Sequence, residues 1–166
     1  QAVLQHPTME FFCNIPMKKM REDSLTELNL DQKVIGAHGA MVVAHLLEFS
    51  RALTSVNLLY NAFGKGAAAA AAAAEQQGNI KTLCGISADQ TAVDFSRKGG
   101  WDDASPSLGA ADAALLGFDL KFNRALKSAN LALNDIGDEG AIAISAALES
   151  NTTLTDLNLE AWHDGV

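Results

Sequence analysis

The sequence predicts an α/β fold made by repetition, a solenoid of units that each hold a short strand and then a helix. Three observations predict it. Leu25-Thr26-Glu27-Leu28-Asn29-Leu30 is respelled at Leu154-Thr155-Asp156-Leu157-Asn158-Leu159, and looser copies start at Leu53 and Leu126. The outer pairs of starts share one step, 53 − 25 = 28 and 154 − 126 = 28 residues, and a fixed period of that size marks a repeat architecture. Within each unit an alternating apolar stretch gives way to a stripe at three- and four-residue spacing, the signatures of a strand and then a helix.

At the start of the chain, Val3 and Leu4 run into Pro7, which fits the last turn of a helix stopped by proline. Met9 to Ile15 reads as a strand containing Cys13, and Ile80 to Ile86 as its copy containing Cys84, 84 − 13 = 71 residues later. A short connection follows each in place of an apolar stripe, so the pair is expected to form two helix-less half-repeats. From Leu25 the pattern is regular. Leu25, Leu28 and Leu30 point inward, while Thr26, Glu27 and Asn29 face the other way. Gly36 and Gly39 then flank the turn into a helix whose apolar stripe is Ala40, Val43, Ala44 and Leu47.

The second repeat, Leu53, Val56, Leu58, Asn61, Phe63 and Gly64, enters an unbroken run of eight alanines, Ala67 to Ala74. Alanine favours helix, but the run lacks the large residues of its counterpart Ala141 to Leu148. Two readings stand, a low-complexity helix or a stretch whose unknown side chains are written as alanine. The second is favoured, and no function is read from residues 67–74. A further strand is expected at Thr91 to Phe95. Aligning Leu108-Gly109 with Ile35-Gly36 leaves 11 − 3 = 8 inserted residues on a strand-to-helix loop that holds Trp101. The cleanest repeat follows, with Leu126, Ala129, Leu131, Asn134, Ile136, Gly137 and Gly140, and the last begins at Leu154, with Trp162 where the phase expects Asn. One domain is expected over residues 1–166, as a piece of a longer protein, because the chain begins on Gln1 and stops partway through a repeat.

A net charge of −8 opposes phosphate backbones and anionic lipid surfaces, so neither nucleic acid nor a membrane is the expected partner. No run of eighteen bulky apolar residues is present. The two cysteines spell no zinc or disulfide pattern and read as free, buried thiols, which fits an intracellular, reducing compartment. Asp102-Asp103 and Asp135 to Glu139 lack EF-hand spacing, and Gly64-Lys65-Gly66 lacks that of a phosphate-binding loop. No cofactor and no metal are expected.

A strand, an Asn-x-Ile-Gly turn, Gly-Ala and a helix repeated at 28 resemble the ribonuclease-inhibitor-like class of leucine-rich repeats, well over residues 24–61 and 108–161 and loosely over 9–23 and 80–107. The resemblance implies a curved leucine-rich-repeat solenoid, with strands on its concave face and helices on its convex face, that binds other proteins. Because the class includes the Ran GTPase-activating protein, it also implies an alternative, a regulator of a small GTPase.

At one strand position stand Asn29, Asn57, Asn130 and Asn158, with Asp94 in the irregular repeat. They should form a column on the concave face, joined by Glu27, Asp31, Tyr60, Asp156 and Glu160 into a strip acidic enough to prefer a basic protein partner. The plain alternative is a row of solvated strand residues. Cys13 and Cys84 are expected at the same position. Asn61 and Asn134, at the turns, are expected to satisfy loop backbone instead. Trp101, in a polar loop, is a candidate interface anchor. His6, His38, His45 and His163 are placed off the strands, so no base is expected beside a cysteine and no enzyme is predicted. The expected role is a non-catalytic scaffold or assembly subunit.

Overall fold

A three-residue strand has no stability of its own, so each strand of this chain depends on a neighbour one repeat away. The structure, a computed structural model, describes residues 6–97 and 105–160. In chain order its elements are α1 (Met17–Arg21), β1 (Glu27–Asn29), α2 (Gly36–Phe49), β2 (Ser55–Asn57), α3 (Gly66–Gln77), β3 (Ala92–Asp94), α4 (Ala110–Phe122), β4 (Ser128–Asn130), α5 (Gly137–Leu148) and β5 (Asp156–Asn158). All strand pairs are parallel, β1 with β2 and β3 with β4 with β5.

The register reproduces the sequence period. Glu27 lies opposite Ser55 and Ser128 opposite Asp156, offsets of 55 − 27 = 28 and 156 − 128 = 28. Ala92 lies opposite Ser128, an offset of 128 − 92 = 36, which exceeds the period by the eight residues of the insertion. Between the two sheets runs an irregular segment, Thr82 to Cys84, bridged to Ser55 and Asn57. It accepts hydrogen bonds from the amides of Val56 and Leu58 at Thr82 O (3.0 Å) and Leu83 O (2.9 Å).

Helices α2 to α5 pack in sequence order, each against the next. The core lies between them and the strands, with Leu28, Val56, Leu83, Val93 and Ala129 meeting Val43, Leu47, Leu115, Leu116 and Leu120. The entry to α2 and α5 is set by glycine. Gly36 and Gly137 take φ +66° and +62°, where a Cβ is disfavoured. A methyl group on Gly39 or Gly140 would fall 2.1 or 2.6 Å from Cγ2 of Ile35 or Ile136, so glycine there lets the buried isoleucine close the turn.

Asparagine secures the turns, as the sequence predicts for Asn61 and Asn134. Asn61 is buried, and its Nδ2 donates to the carbonyls of Leu30 (2.6 Å), Leu58 (3.0 Å) and Leu59 (3.1 Å), while its Oδ1 accepts from Lys33 N (3.0 Å) and Ile35 N (3.3 Å). Asn134 repeats the pattern toward Phe95, Leu131 and Ala132, and accepts from Leu108 N at 2.9 Å. Leu108 therefore stands where Ile35 stands, which supports the alignment across the insertion. At the opposite turns Asn123 and Asn151, 151 − 123 = 28 residues apart, each accept two backbone N–H groups at 2.8–2.9 Å.

Three expectations need correction. Met9 to Ile15 is not a strand: Phe12 and Ile15 form an antiparallel bridge around Cys13 and Asn14, whose φ of +46° and +64° turn the chain back. The connection after it contains α1, which buries Met17 and Met20, so of the two half-repeats only the second lacks a helix among the described residues. Cys13 is consequently exposed and off the strand row, while Cys84 is buried. The expected helix turn at residues 1–5 and Trp162 lie outside the described residues. No helix among the described residues is long and apolar enough to cross a membrane, and no group of His, Cys, Asp and Glu among them is arranged to hold a metal ion.

Candidate functional site

The alternation of a strand sends its middle residue into the core and its flanking residues outward, and each strand here obeys it. Leu28, Val56, Val93 and Ala129 are buried, while Glu27, Asn29 and Asp94 are exposed and Asn57 and Asn130 half-buried. On β5, Asp156 is exposed and Asn158 half-buried. Pairing then aligns the predicted column: Asn29 with Asn57, and Asp94 with Asn130 with Asn158. A second row holds Glu27 with Ser55, and Ala92 with Ser128 with Asp156, whose Oδ2 accepts from the Ser128 hydroxyl at 3.3 Å.

The column residues are more than solvated side chains. Oδ1 of Asn29, Asn57, Asn130 and Asn158 accepts the amide two residues on, at 2.9 Å (Asp31), 3.1 Å (Leu59), 3.2 Å (Ala132) and 2.9 Å (Glu160). Asp94 does the same to Ser96 N at 3.1 Å. Each closes the turn that follows its strand, as Asn and Asp side chains do. A short polar side chain is thus required at that phase, whichever of the two it is.

At the ends of the strands, Asp31 and Tyr60 are half-buried and Glu160 is exposed. Tyr60, at φ +59°, donates its amide to Asp112 Oδ1 at 2.7 Å. Its phenol is pushed up to about 12, first by burial and then by the carboxylates of Asp112 and Asp31. Tyr60 is therefore tied into the fold as well as partly open. Trp101 lies outside the described residues.

Sequence reasoning missed the two carboxylates that join the halves of the molecule. Asp112 caps α4, accepting from Gly109 N at 3.0 Å, and burial pushes its carboxyl up against the pull of the Gly109 and Tyr60 amides. Asp119 is fully buried. It accepts from the Thr82 hydroxyl (2.5 Å), Leu83 N (2.6 Å) and Cys84 N (3.2 Å). Burial pushes it up to about 7, with those donors opposing. It also raises the thiol of Cys84, already raised by burial. A thiol held protonated in this way is a poor nucleophile. A signal was present: Asp112 and Asp119 are 119 − 112 = 7 residues apart, on the same face as Leu115 and Leu116.

On the helix side, cavities of about 380 and 510 Å³ open beside Ala68, Ala71 and Ala72 of α3. The buried face of α3 is Ala67, Ala70, Ala73 and Ala74, where α2 buries Val43, Leu46 and Leu47.

The parallel strands, flanking helices and 28-residue register make a mixed α/β fold that fits the leucine-rich-repeat type. The leucine-rich-repeat family model matches residues 122–145, from the end of α4 into α5. No curated protein sequence matches the chain. Among solved structures, that of leiomodin-1 actin-binding site 2 is similar, with a TM-score of 0.48 and 17% identity over 95% of this chain and 83% of that one. At that level the likeness transfers no role to any residue.

Proposed function

We propose that the chain is a non-catalytic protein-interaction module, a scaffold or assembly subunit that holds a partner along a concave strand face. The observation that carries this reading is the outward alignment of Asn29 with Asn57 in one sheet and of Asp94 with Asn130 and Asn158 in the other. Glu27 and Asp31 at one end and Asp156 and Glu160 at the other give the surface an acidic border, which favours a basic partner. Trp101, on the inserted loop, is proposed as a second contact.

Affinity capture with the intact chain and with a Glu27→Lys, Asp156→Lys variant tests it, with Glu149→Lys on the helix side as control. The partner captured by the intact chain should be lost with the strand-face variant and kept with the control. Retention by the strand-face variant overturns the assignment.

A further inference from the structure

The strand rows have a polarity that the acidic charge around them conceals. An Asn amide offers one oxygen acceptor and two N–H donors. In Asn29, Asn57, Asn130 and Asn158 the oxygen is already committed to the amide two residues on. Among the described residues no side-chain or backbone acceptor engages Nδ2 of these four, and none of the four Nδ2 atoms is buried without a partner. The N–H groups of these amides are therefore left unspent within the described residues, on side chains that are exposed or half-buried. What the strands present is two short rows, the donors Asn29 and Asn57 in one sheet and Asn130 and Asn158 beside the carboxylate of Asp94 in the other, bordered by Glu27, Asp31, Asp156 and Glu160.

Resting on the binding role proposed above, we propose that these rows take an extended, basic segment of a protein, which offers its main-chain carbonyls to the Asn amides and Lys or Arg side chains to the surrounding carboxylates. Two alternatives fit less well. Acidic side chains could accept from the amides, but they would approach five carboxylates on a chain of net charge −8. A helix could carry the basic side chains, but its carbonyls are spent on its own backbone except in the last turn. An extended segment leaves its carbonyls free.

The fold supplies a substitution that separates this proposal from simple charge attraction. Asp94 shows that aspartate closes the same turn as asparagine, accepting Ser96 N at 3.1 Å. Asn57→Asp with Asn158→Asp therefore keeps the turns and adds negative charge, but removes the donors from two of the four amides.

The probe is a random-peptide display library selected on the intact chain. Enriched sequences should be basic and free of helical periodicity, and should shift the side-chain amide resonances of Asn29, Asn57, Asn130 and Asn158. The double Asn→Asp variant should bind them about tenfold or more weakly, as loss of roughly two hydrogen bonds implies. A thermal unfolding midpoint near that of the intact chain confirms that the variant is folded; a large drop there would refute the claim that aspartate closes these turns. Equal or tighter binding by the variant overturns the proposal in favour of charge alone. Acidic or helical selected peptides, or no enrichment, overturn it outright. In those cases the wider binding role still stands or falls by its own charge-reversal capture.

Discussion

At the residue scale, one buried amide joins two successive repeats. Asn61 donates to Leu30 in the preceding unit as well as to Leu58 and Leu59 in its own, and accepts from Lys33 and Ile35. Removing it strands several backbone groups at once, and each buried group left unpaired costs about 1–3 kcal/mol. Asn61→Ala should therefore lower unfolding stability by roughly 2–5 kcal/mol in a urea titration, and Asn134→Ala, half-buried in the same role, by less.

Asp119 makes a prediction of opposite character. Its carboxyl titrates near 7 in the folded chain against an ordinary 3.8. Between those values the folded state holds a proton that the unfolded state has released, so stability falls as pH rises. The contribution is complete below about 3.8 and gone above about 7. The urea midpoint should thus drop from pH 5 to pH 7.5, and Asp119→Asn should flatten that slope even while weakening the fold, since its Nδ2 would face an N–H donor. An unchanged slope in the variant would place the titration elsewhere. Asp112, raised in the same direction, adds a smaller slope of the same sign.

At the scale of single elements, burial grades the ladder of leucines. Leu58 is fully buried, whereas Leu157 on the last strand is half-buried. Leu58→Ala should cost about 2–5 kcal/mol, the usual range for a leucine deleted from a packed core. Leu157→Ala should cost clearly less, because the half-buried side chain gives up fewer packed contacts. Denaturant unfolding of the pair checks the order. Helix α3 should respond in reverse. Ala71 lines the cavity of about 380 Å³, so Ala71→Leu should stabilise the chain by about 1–2 kcal/mol through added apolar burial, visible as a higher melting temperature. No gain would mean that the space collapses or stays wet.

The elements that were legible in the sequence are those that repetition enforces. Asn29, Asn57, Asn130 and Asn158 recur at one phase because each must close the same turn, and the leucines recur because each fills the same layer. The turn at Cys13 and Asn14 was not legible, because its apolar spacing is also that of a strand and Asn14 alone hinted at a positive φ. Asp119 was hidden for another reason: its partner Leu83 lies 36 residues away on an irregular segment outside the 28-residue register. Of the candidate surface, the strand positions could be read directly. The commitment of every column Oδ1 to the backbone could not, since it depends on the direction of the chain after each strand.

At the scale of the whole molecule, the two sheets share no strand pair among the described residues, and the half-repeat between them is where successive helices are least coupled. A chain of repeats gains stability from the interfaces between neighbouring units and loses cooperativity where an interface is weak. Here α3 offers α4 a face of alanines, and polar ties do the rest: Asp112 to the Tyr60 amide, and Asp119 to Thr82, Leu83 and Cys84. With both carboxylates present, β2 and β4 should unfold together. Asp112→Ala with Asp119→Ala should split the transition, with the amides of Val56 and Leu58 exchanging at lower urea than those of Ala129 and Leu131. The first pair loses the support of the Thr82–Cys84 segment to which it is bonded, whereas β4 keeps β3 and β5 on either side. Native-state hydrogen exchange across a urea series reads the two groups separately. A single shared transition in the double variant would show that the alanine face alone couples the halves.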